Sequence, residues 1–163
     1  MTILTSNPAT SKKIFLIEDN LADINAMEEA LKSCDIKYEL KIAQDGEVAT
    51  RILSLEKKSM KPYLPDIILL DLNLPKKNGR ELLKEIKVNE LLRQIPIIVL
   101  TSSKATEDIS LCYRYHVNCY ITKPAKLSDF FHVIKKIIQF WCEIIELPDS
   151  NEVYINSSYS LNG

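Results

Sequence analysis

The sequence predicts a doubly wound α/β domain in which five parallel strands alternate with five helices. Four short segments are almost continuously apolar, which is typical of parallel strands that helices cover on both faces. Each of these segments runs directly into polar side chains. The polar side chains are Glu18 and Asp19, Asp71, Thr101, and Lys123. Because ligands of open α/β sheets bind beyond the carboxyl ends of the strands, we expect these side chains to converge there.

The strands are predicted from short runs of β-branched, aromatic and aliphatic residues. Residues 38–42 differ from the other runs because their polar and apolar side chains alternate. In chain order, the predicted strands are residues 13–17, 38–42, 66–70, 97–100 and 118–122.

Apolar residues at spacings of three and four predict a helix after each strand. Asn20 and Ser128 are placed to cap the first and the last helix, and Asp45 with Gly46 turns the chain into the second. In chain order, the predicted helices are residues 21–33, 47–55, 80–88, 105–115 and 127–146. Right-handed crossovers between the parallel strands place these helices on both faces of the sheet.

The length and composition fit one soluble globular domain. The chain has 163 residues, of which 46% are hydrophobic and 26% are charged, and this is a normal globular composition. Its 21 basic and 22 acidic residues give a formal net charge of -1, so no global field favours nucleic acid or an anionic membrane. No apolar run approaches the roughly 20 residues that span a bilayer. We therefore expect a cytoplasmic protein that binds neither nucleic acid nor membranes.

Three of the polar residues at the strand ends are acidic, and this favours a divalent metal ion. Carboxylates held close together repel one another, so one would take up a proton unless a cation lies between them. Magnesium prefers hard oxygen ligands and is usually held by one or two protein carboxylates plus a phosphate. Glu18, Asp19 and Asp71 supply ligands of this type and number.

Lys123 and Thr101 extend this chemistry to phosphoryl transfer. A carboxylate can attack phosphorus and form an acyl phosphate where positive charge neutralises the phosphoryl oxygens. Lys123 and the metal ion would provide that charge. The hydroxyl of Thr101 can bond to the phosphoryl group once it is present, which converts the modification into a local movement.

Several motifs then carry a resemblance to a known family. They are Ile17-Glu18-Asp19-Asn20, Asp45-Gly46, residues 69–75, Gly79, Thr101-Ser102-Ser103 and residues 120–124. In order and spacing they resemble the receiver domain of two-component response regulators, the CheY-like family. The resemblance covers residues 12–146, which leaves residues 1–11 as an N-terminal arm and residues 147–163 as a C-terminal tail. It implies a flavodoxin-like fold of five βα units, with the parallel strands in the order 2-1-3-4-5.

The resemblance implies a role for each acidic residue. Asp71 would accept a phosphoryl group from the phosphohistidine of a sensor histidine kinase. Asp19 and Asp71 would bind Mg²⁺ directly, Glu18 would bind it through a water molecule, and Asn73 would contribute its backbone carbonyl.

The same resemblance implies roles for residues on the fourth and fifth strands. Lys123 would pair with the phosphoryl group, and Thr101 and Tyr120 would form a switch pair. The bond between Lys123 and Pro124 is often cis in the family. A receiver of this kind is not an enzyme for other substrates, because it catalyses only its own phosphotransfer and dephosphorylation.

Residues 71–81 look like the small response regulators that are paired with cyanobacterial phytochromes. The long loop before the third strand, residues 116–120 and the late Phe140-Trp141 agree with that group. The implied phosphoryl donor is a light-regulated, bilin-binding histidine kinase. Since no effector domain follows the receiver, we expect a single-domain response regulator that signals by a phosphorylation-dependent change of its protein-contact surface.

The last predicted helix is apolar over roughly 200 degrees of its circumference, which is more than one core-facing stripe requires. Its two stripes are Leu127, Phe131, Ile134, Ile138, Trp141 and Ile145, and Val133, Ile137, Phe140 and Ile144. We expect a homodimer through this helix and the neighbouring fourth helix and fifth strand. The alternative is that the tail covers the second stripe, through residues 153–155.

Two other functions remain open for the same residues. A constitutive, unphosphorylated scaffold would not need to hold repelling carboxylates together, and Asp71→Asn would leave its partner affinity unchanged. An aspartate-nucleophile phosphatase of the haloacid dehalogenase type would resemble an Asp-x-Asp motif on an early strand. This chain instead has Asp71-Leu72-Asn73 on the third strand. Turnover of a phosphate monoester that Asp71→Asn abolishes would favour the phosphatase.

Overall fold

Five parallel strands form one sheet, as the sequence predicts. A computed structural model describes residues 11–54 and 63–148. The strands are β1 (Lys12–Ile17), β2 (Tyr38–Ala43), β3 (Ile67–Leu70), β4 (Ile97–Thr101) and β5 (Cys119–Thr122). They lie in the order β2-β1-β3-β4-β5, and each neighbouring pair is parallel. The predicted flavodoxin-like strand order is therefore confirmed.

A helix follows each strand. The helices are α1 (Leu21–Lys32), α2 (Gly46–Ile52), α3 (Gly79–Val88), α4 (Thr106–Arg114) and α5 (Leu127–Ile138), and a π-helical segment, Gln139–Ile144, continues α5. The end of the second predicted helix, at Leu55, lies outside the described residues. Within the described ranges, no helix is long and apolar enough to cross a membrane.

The sheet separates two apolar clusters because successive side chains of a strand point to opposite faces. On β1, Phe15 and Ile17 belong to one cluster, whereas Ile14 and Leu16 belong to the other. The first cluster also receives side chains from α2, α3 and α4. The second receives side chains from α1 and α5. Strands β1, β3 and β4 are thus covered on both faces, which explains why their apolar runs lack polar alternation.

The register of the strands brings their carboxyl ends level. Ile17 of β1 pairs with Leu70 of β3, so the next residues of both strands, Glu18 and Asp71, lie side by side. The backbone ladder continues one residue further, since Asp71 N–H donates to the Ile17 carbonyl at 3.0 Å. Between β4 and the edge strand β5, Lys123 N–H donates to the Thr101 carbonyl at 2.8 Å.

One of the two predicted helix caps, Asn20, is confirmed, and Asp45, which was predicted only to turn the chain into α2, is a cap as well. The side chain of Asn20 accepts hydrogen bonds from Ala22 and Asp23 N–H at the start of α1, and Asp45 accepts one from Val48 N–H in α2. The prediction that Ser128 caps the last helix is wrong. That helix already begins at Leu127, so Ser128 lies in its first turn, and the N-cap residue has no capping side-chain bond.

The last helix also departs from the regular spacing used to predict it. After Ile138 the backbone forms wider turns, and Ile145 N–H donates to the carbonyl of Phe140, five residues earlier, at 3.0 Å. These turns rotate the following side chains away from the predicted phase. Phe140 and Ile144, which belong to the second predicted stripe, are 47% and 70% exposed, whereas Cys142, which belongs to neither stripe, is buried.

Each predicted stripe is only partly buried. In the first, Ile134 and Ile138 are buried in the core but Leu127 is 61% exposed; in the second, Ile137 is buried. The residues proposed as a cover, 153–155, lie outside the described residues.

Candidate functional site

The ammonium group of Lys123 lies at the centre of a carboxylate cluster beyond β1, β3 and β5. Its Nζ donates to Glu18 Oε2 at 2.6 Å, to Asp23 Oδ2 at 2.8 Å and to Asp71 Oδ2 at 2.9 Å. The structure therefore brings Glu18, Asp71 and Lys123 together, as the strand-end pattern predicts. Asp23, in the first turn of α1, was not predicted to belong to the site.

These charged groups are largely withdrawn from solvent. Glu18 is 3% exposed and Asp71 is 6% exposed, and the side chain of Lys123 is 10% exposed. Asp19 is exposed at the mouth of the site. Buried charges require partners to offset the loss of hydration, so this cluster is held together by mutual pairing.

Burial and pairing shift the protonation equilibria within the cluster. Burial raises the pKa of Glu18 from 4.5 to about 7, against the opposing effect of the bonded Lys123 and with a smaller contribution from Asp71. Burial also opposes the charge of Lys123, but its hydrogen bonds to Asp23, Glu18 and Asp71 together outweigh that effect. The pKa of Lys123 is consequently raised above its ordinary value.

Three of the carboxylates form a group that can hold a divalent cation. One oxygen each of Glu18, Asp19 and Asp71 can be chosen so that all three lie within 4.8 Å of one another. Hard carboxylate oxygens at this separation fit the ligand preference of Mg²⁺ or Mn²⁺. The excess of negative charge around Lys123 fits a cation for the same electrostatic reason.

The loop between β3 and α3 fixes the orientation of Asp71. The Asn73 N–H donates to Asp71 Oδ1 at 3.0 Å, so each oxygen of Asp71 has a partner. Gly79 allows this tight loop, because a Cβ atom there would lie 2.2 Å from the Asp71 carbonyl oxygen. The side chain of Asn78 caps α3 by accepting from Arg80 and Glu81 N–H.

The predicted switch pair, Thr101 and Tyr120, is joined through Ser103. The buried hydroxyl of Thr101 accepts from Ser103 N–H at 3.4 Å, and the Tyr120 hydroxyl donates to the Ser103 carbonyl at 2.9 Å. Burial raises the pKa of the Tyr120 phenol, although its bond to Ser103 acts in the opposite direction. Both side chains are therefore hydrogen-bonded to the loop between β4 and α4.

Sequence reasoning missed two further groups near the site. Asp23 lies four residues after Asp19, in the first turn of α1, and its position beside a predicted strand end was a usable signal. Arg80 and Asp108 form an ion pair between α3 and α4, and no sequence spacing indicated it. The bond between Lys123 and Pro124, which is often cis in the family, is trans here.

Comparison with known proteins agrees with this fold and geometry. A family model for the response regulator receiver domain matches residues 14–135. Response regulator Rcp1 of Synechocystis sp. strain PCC 6803 is 46% identical over 143 residues, which are 88% of this chain and 96% of Rcp1.

Two solved structures are similar over most of the chain. The phosphorylated cyanobacterial phytochrome response regulator RcpA has a TM-score of 0.80 and 47% identity, over 86% of this chain and 100% of RcpA. The Mn²⁺-bound form of Rcp1 has a TM-score of 0.79 and 45% identity, over 84% of this chain and 99% of Rcp1. The chain therefore belongs to the family of response regulator receiver domains, and it is related to the phytochrome response regulators within that family.

Proposed function

We propose that the protein is a response regulator that accepts a phosphoryl group on Asp71 from a sensor histidine kinase. The observation that carries this proposal is the pairing of both Asp71 oxygens, Oδ1 with Asn73 N–H and Oδ2 with Lys123 Nζ. These two contacts hold the carboxylate in a fixed direction at the edge of the sheet. A positioned nucleophile next to a cation is the main requirement of phosphoryl transfer.

In the proposed reaction, an oxygen of Asp71 attacks the phosphorus atom of the kinase phosphohistidine. A P–O bond forms, the P–N bond breaks, and the leaving imidazole keeps the electron pair of that bond. Lys123 then pairs with an oxygen of the transferred phosphoryl group instead of with the free carboxylate. Glu18, Asp19, Asp71 and the backbone carbonyl of Asn73 would hold a divalent cation, which would supply further positive charge for the phosphoryl oxygens.

Thr101 and Tyr120 convert the modification into a change of surface in this proposal. The Thr101 hydroxyl turns toward the phosphoryl group and pulls on Ser103, to which it is bonded. Because the Tyr120 hydroxyl donates to the carbonyl of Ser103, movement of this loop changes the position of the Tyr120 side chain. Such a step couples a local charge to the surface formed by α4, β5 and α5.

We also infer that the donor is a light-regulated kinase of the phytochrome type. The support is the similarity to RcpA and Rcp1, which extends over nearly the full length of both proteins. The signalling role needs no reaction other than phosphorylation and dephosphorylation of Asp71. These reactions would take place in the cytoplasm, where such kinases transfer phosphate.

The proposed output surface includes a homodimer contact through α4, β5 and the last helix. Four large apolar side chains on these elements are strongly exposed, namely Tyr113 at 51%, Leu127 at 61%, Phe140 at 47% and Ile144 at 70%. Exposed apolar groups of this size favour contact with another protein surface. A second copy of the chain would cover them.

The experiment that tests the proposal treats wild type and Asp71→Asn with a divalent cation and a small phosphodonor such as acetyl phosphate. We expect a single phosphate adduct by intact mass on wild type alone, together with a changed dimer population by sedimentation. An adduct of equal yield on Asp71→Asn would contradict the assignment of Asp71. No adduct on wild type, together with an unchanged partner affinity in Asp71→Asn, would favour the scaffold function.

A further inference from the structure

All three N–H donors of the Lys123 ammonium group are used, and one of them is used by a residue outside the metal-binding set. The acceptors are Glu18, Asp23 and Asp71, at 2.6, 2.8 and 2.9 Å. Glu18 and Asp71 also belong to the group of carboxylates that can hold a divalent cation, but Asp23 does not. Of these three acceptors, Asp23 is thus the one that would not also bind the cation.

The position of Asp23 is fixed by the same residues that form the site. Asn20 N–H donates to Glu18 Oε1 at 3.0 Å, and the side chain of Asn20 in turn accepts from Asp23 N–H at 3.3 Å. This chain of bonds ties the first turn of α1 to the end of β1. The side chain of Asp23 is only 21% exposed, so its carboxylate meets Lys123 in a partly desolvated setting where ion pairs are stronger.

Electrostatics then separates the roles of the three carboxylates. A cation at Glu18, Asp19 and Asp71 partly neutralises the negative charge that otherwise attracts Lys123. It also repels the ammonium group directly. Without another acceptor, Lys123 would have to compete with the cation for Glu18 and Asp71. With Asp23 present, the ammonium group keeps one carboxylate whose charge is not neutralised while Glu18 and Asp71 bind the cation.

We propose that Asp23 is a positioning residue that retains the Lys123 ammonium group in the site while a divalent cation occupies the neighbouring carboxylates. This inference rests on the proposed phosphoacceptor function, because it assumes the cation site of that function. Its consequence is that cation binding and the presence of Lys123 beside Asp71 become compatible. Phosphoryl transfer requires both positive charges at the same time.

A simpler role for Asp23 has to be separated from this one. An acidic side chain in the first turn of a helix is favourable through the helix dipole alone. That role requires no contact with Lys123, so it would be unchanged by Lys123→Gln. A positioning role acts through Lys123 and would disappear in that background.

The first measurement follows the side-chain ammonium signal of Lys123 by NMR in isotopically labelled, full-length protein, with Lys123→Gln used to assign it. We expect a protected signal in wild type both with and without Mg²⁺. In Asp23→Asn we expect the signal without Mg²⁺ and its loss when Mg²⁺ is added. A signal that survives Mg²⁺ in Asp23→Asn overturns the proposal, and so does the loss of the wild-type signal.

The second measurement is the Mg²⁺ dissociation constant by calorimetry. Asp23→Asn should weaken binding by about three- to tenfold, because Lys123 then competes for Glu18 and Asp71. Glu28→Gln removes the same charge from α1 further from the site and should change the constant by less than about twofold. In a Lys123→Gln background, Asp23→Asn should have no more effect than Glu28→Gln.

The outcomes of this titration also separate the two proposals. An equal effect of Asp23→Asn with and without Lys123 overturns the positioning role and leaves the phosphoacceptor proposal intact. A wild-type protein that binds no divalent cation overturns both.

Discussion

Arg80 and Asp108 join the start of α3 to the first turn of α4 by two parallel hydrogen bonds. Arg80 Nε donates to Asp108 Oδ1 at 2.6 Å, and Nη2 donates to Oδ2. The same Asp108 oxygen accepts from the Ser103 hydroxyl, and Arg80 Nη1 reaches the Leu72 carbonyl at 3.4 Å. The ion pair therefore connects the loop that follows Asp71 with the loop that follows Thr101.

The first prediction concerns the stability that this ion pair provides. Arg80→Ala should lower the free energy of unfolding by about 2 kcal/mol, because it leaves the mostly buried Asp108 carboxylate without its main partner. The Arg80 guanidinium holds the pKa of Asp108 below its ordinary value, with burial opposing and Ser103 assisting. Urea denaturation measures the change.

The exposed pair of Lys32 and Glu29 provides the matched control. Its two side chains are 63% and 67% exposed, so Lys32→Ala should change the free energy of unfolding by less than about 0.5 kcal/mol. Equal losses in the two variants would show that the Arg80 pair has no special role.

A second prediction follows from the backbone of His116. This residue has φ of 57°, and Val117 N–H donates to the Cys112 carbonyl at 3.1 Å, as in helix ends that favour glycine. His116→Gly should therefore raise the free energy of unfolding by about 0.5–1 kcal/mol, since a side chain is strained in this conformation. Thermal unfolding of both proteins at one protein concentration measures the gain.

Gln139→Gly serves as the control for His116→Gly. Gln139 is exposed and has φ of -58°, where glycine offers no relief and only adds flexibility to the unfolded chain. We expect it to lower the free energy of unfolding by about 1 kcal/mol. A loss of stability in His116→Gly as well would contradict the assigned helix end.

A third prediction is the pH dependence of metal stabilisation. Glu18 has a pKa near 7 in the folded protein against 4.5 ordinarily, so its contribution to stability is full below about pH 4.5 and is lost as the pH rises through 7. Mg²⁺ binds the ionised carboxylate and offsets that loss. The rise in melting temperature on addition of Mg²⁺ should accordingly be larger at about pH 8 than at about pH 5.5.

The variant Glu18→Gln tests the source of that dependence. The amide cannot ionise, so the metal-free protein should lose its Glu18-dependent fall in stability between the two pH values. If the metal-free wild type and Glu18→Gln show the same pH profile, Glu18 does not titrate in this range.

A fourth prediction concerns the proposed dimer surface. Ile144 is 70% exposed on the last helix, and Val88 is 68% exposed at the end of α3. Ile144→Lys should weaken self-association of the phosphorylated protein by at least about tenfold, because a charge would be buried in the interface. Val88→Lys should have little effect. Sedimentation that shows monomer only for the wild type, with and without phosphate analogue, would reject the dimer.

The fold and the centre of the site were predictable because they depend on strands. Glu18, Asp71 and Lys123 each follow a strand of the sheet directly, and a parallel register brings such residues to one level. The residues missed by sequence reasoning lie on helices. The contact of Asp23 with Lys123 depends on how α1 packs, and that of Arg80 with Asp108 depends on the separation of α3 and α4.

The last helix shows a different limit of sequence reasoning. Apolar spacing assumes a constant turn, and it placed Ile134 and Ile138, which are both buried, on one stripe. The change to wider turns after Ile138 is a backbone event that leaves no mark in the spacing. After it Cys142, which belongs to neither predicted stripe, is buried.

The central claim is that the phosphoryl group is attached to the side chain of Asp71, and one chemical measurement tests it directly. Reduction of an aspartyl phosphate with borohydride cleaves the acyl bond and converts the aspartate to homoserine. After phosphorylation and reduction, peptide mass spectrometry should find homoserine at position 71 of the wild type, and no such product without the phosphodonor. Homoserine at Asp19 or Asp23, or a phosphate adduct that survives borohydride, would contradict the claim.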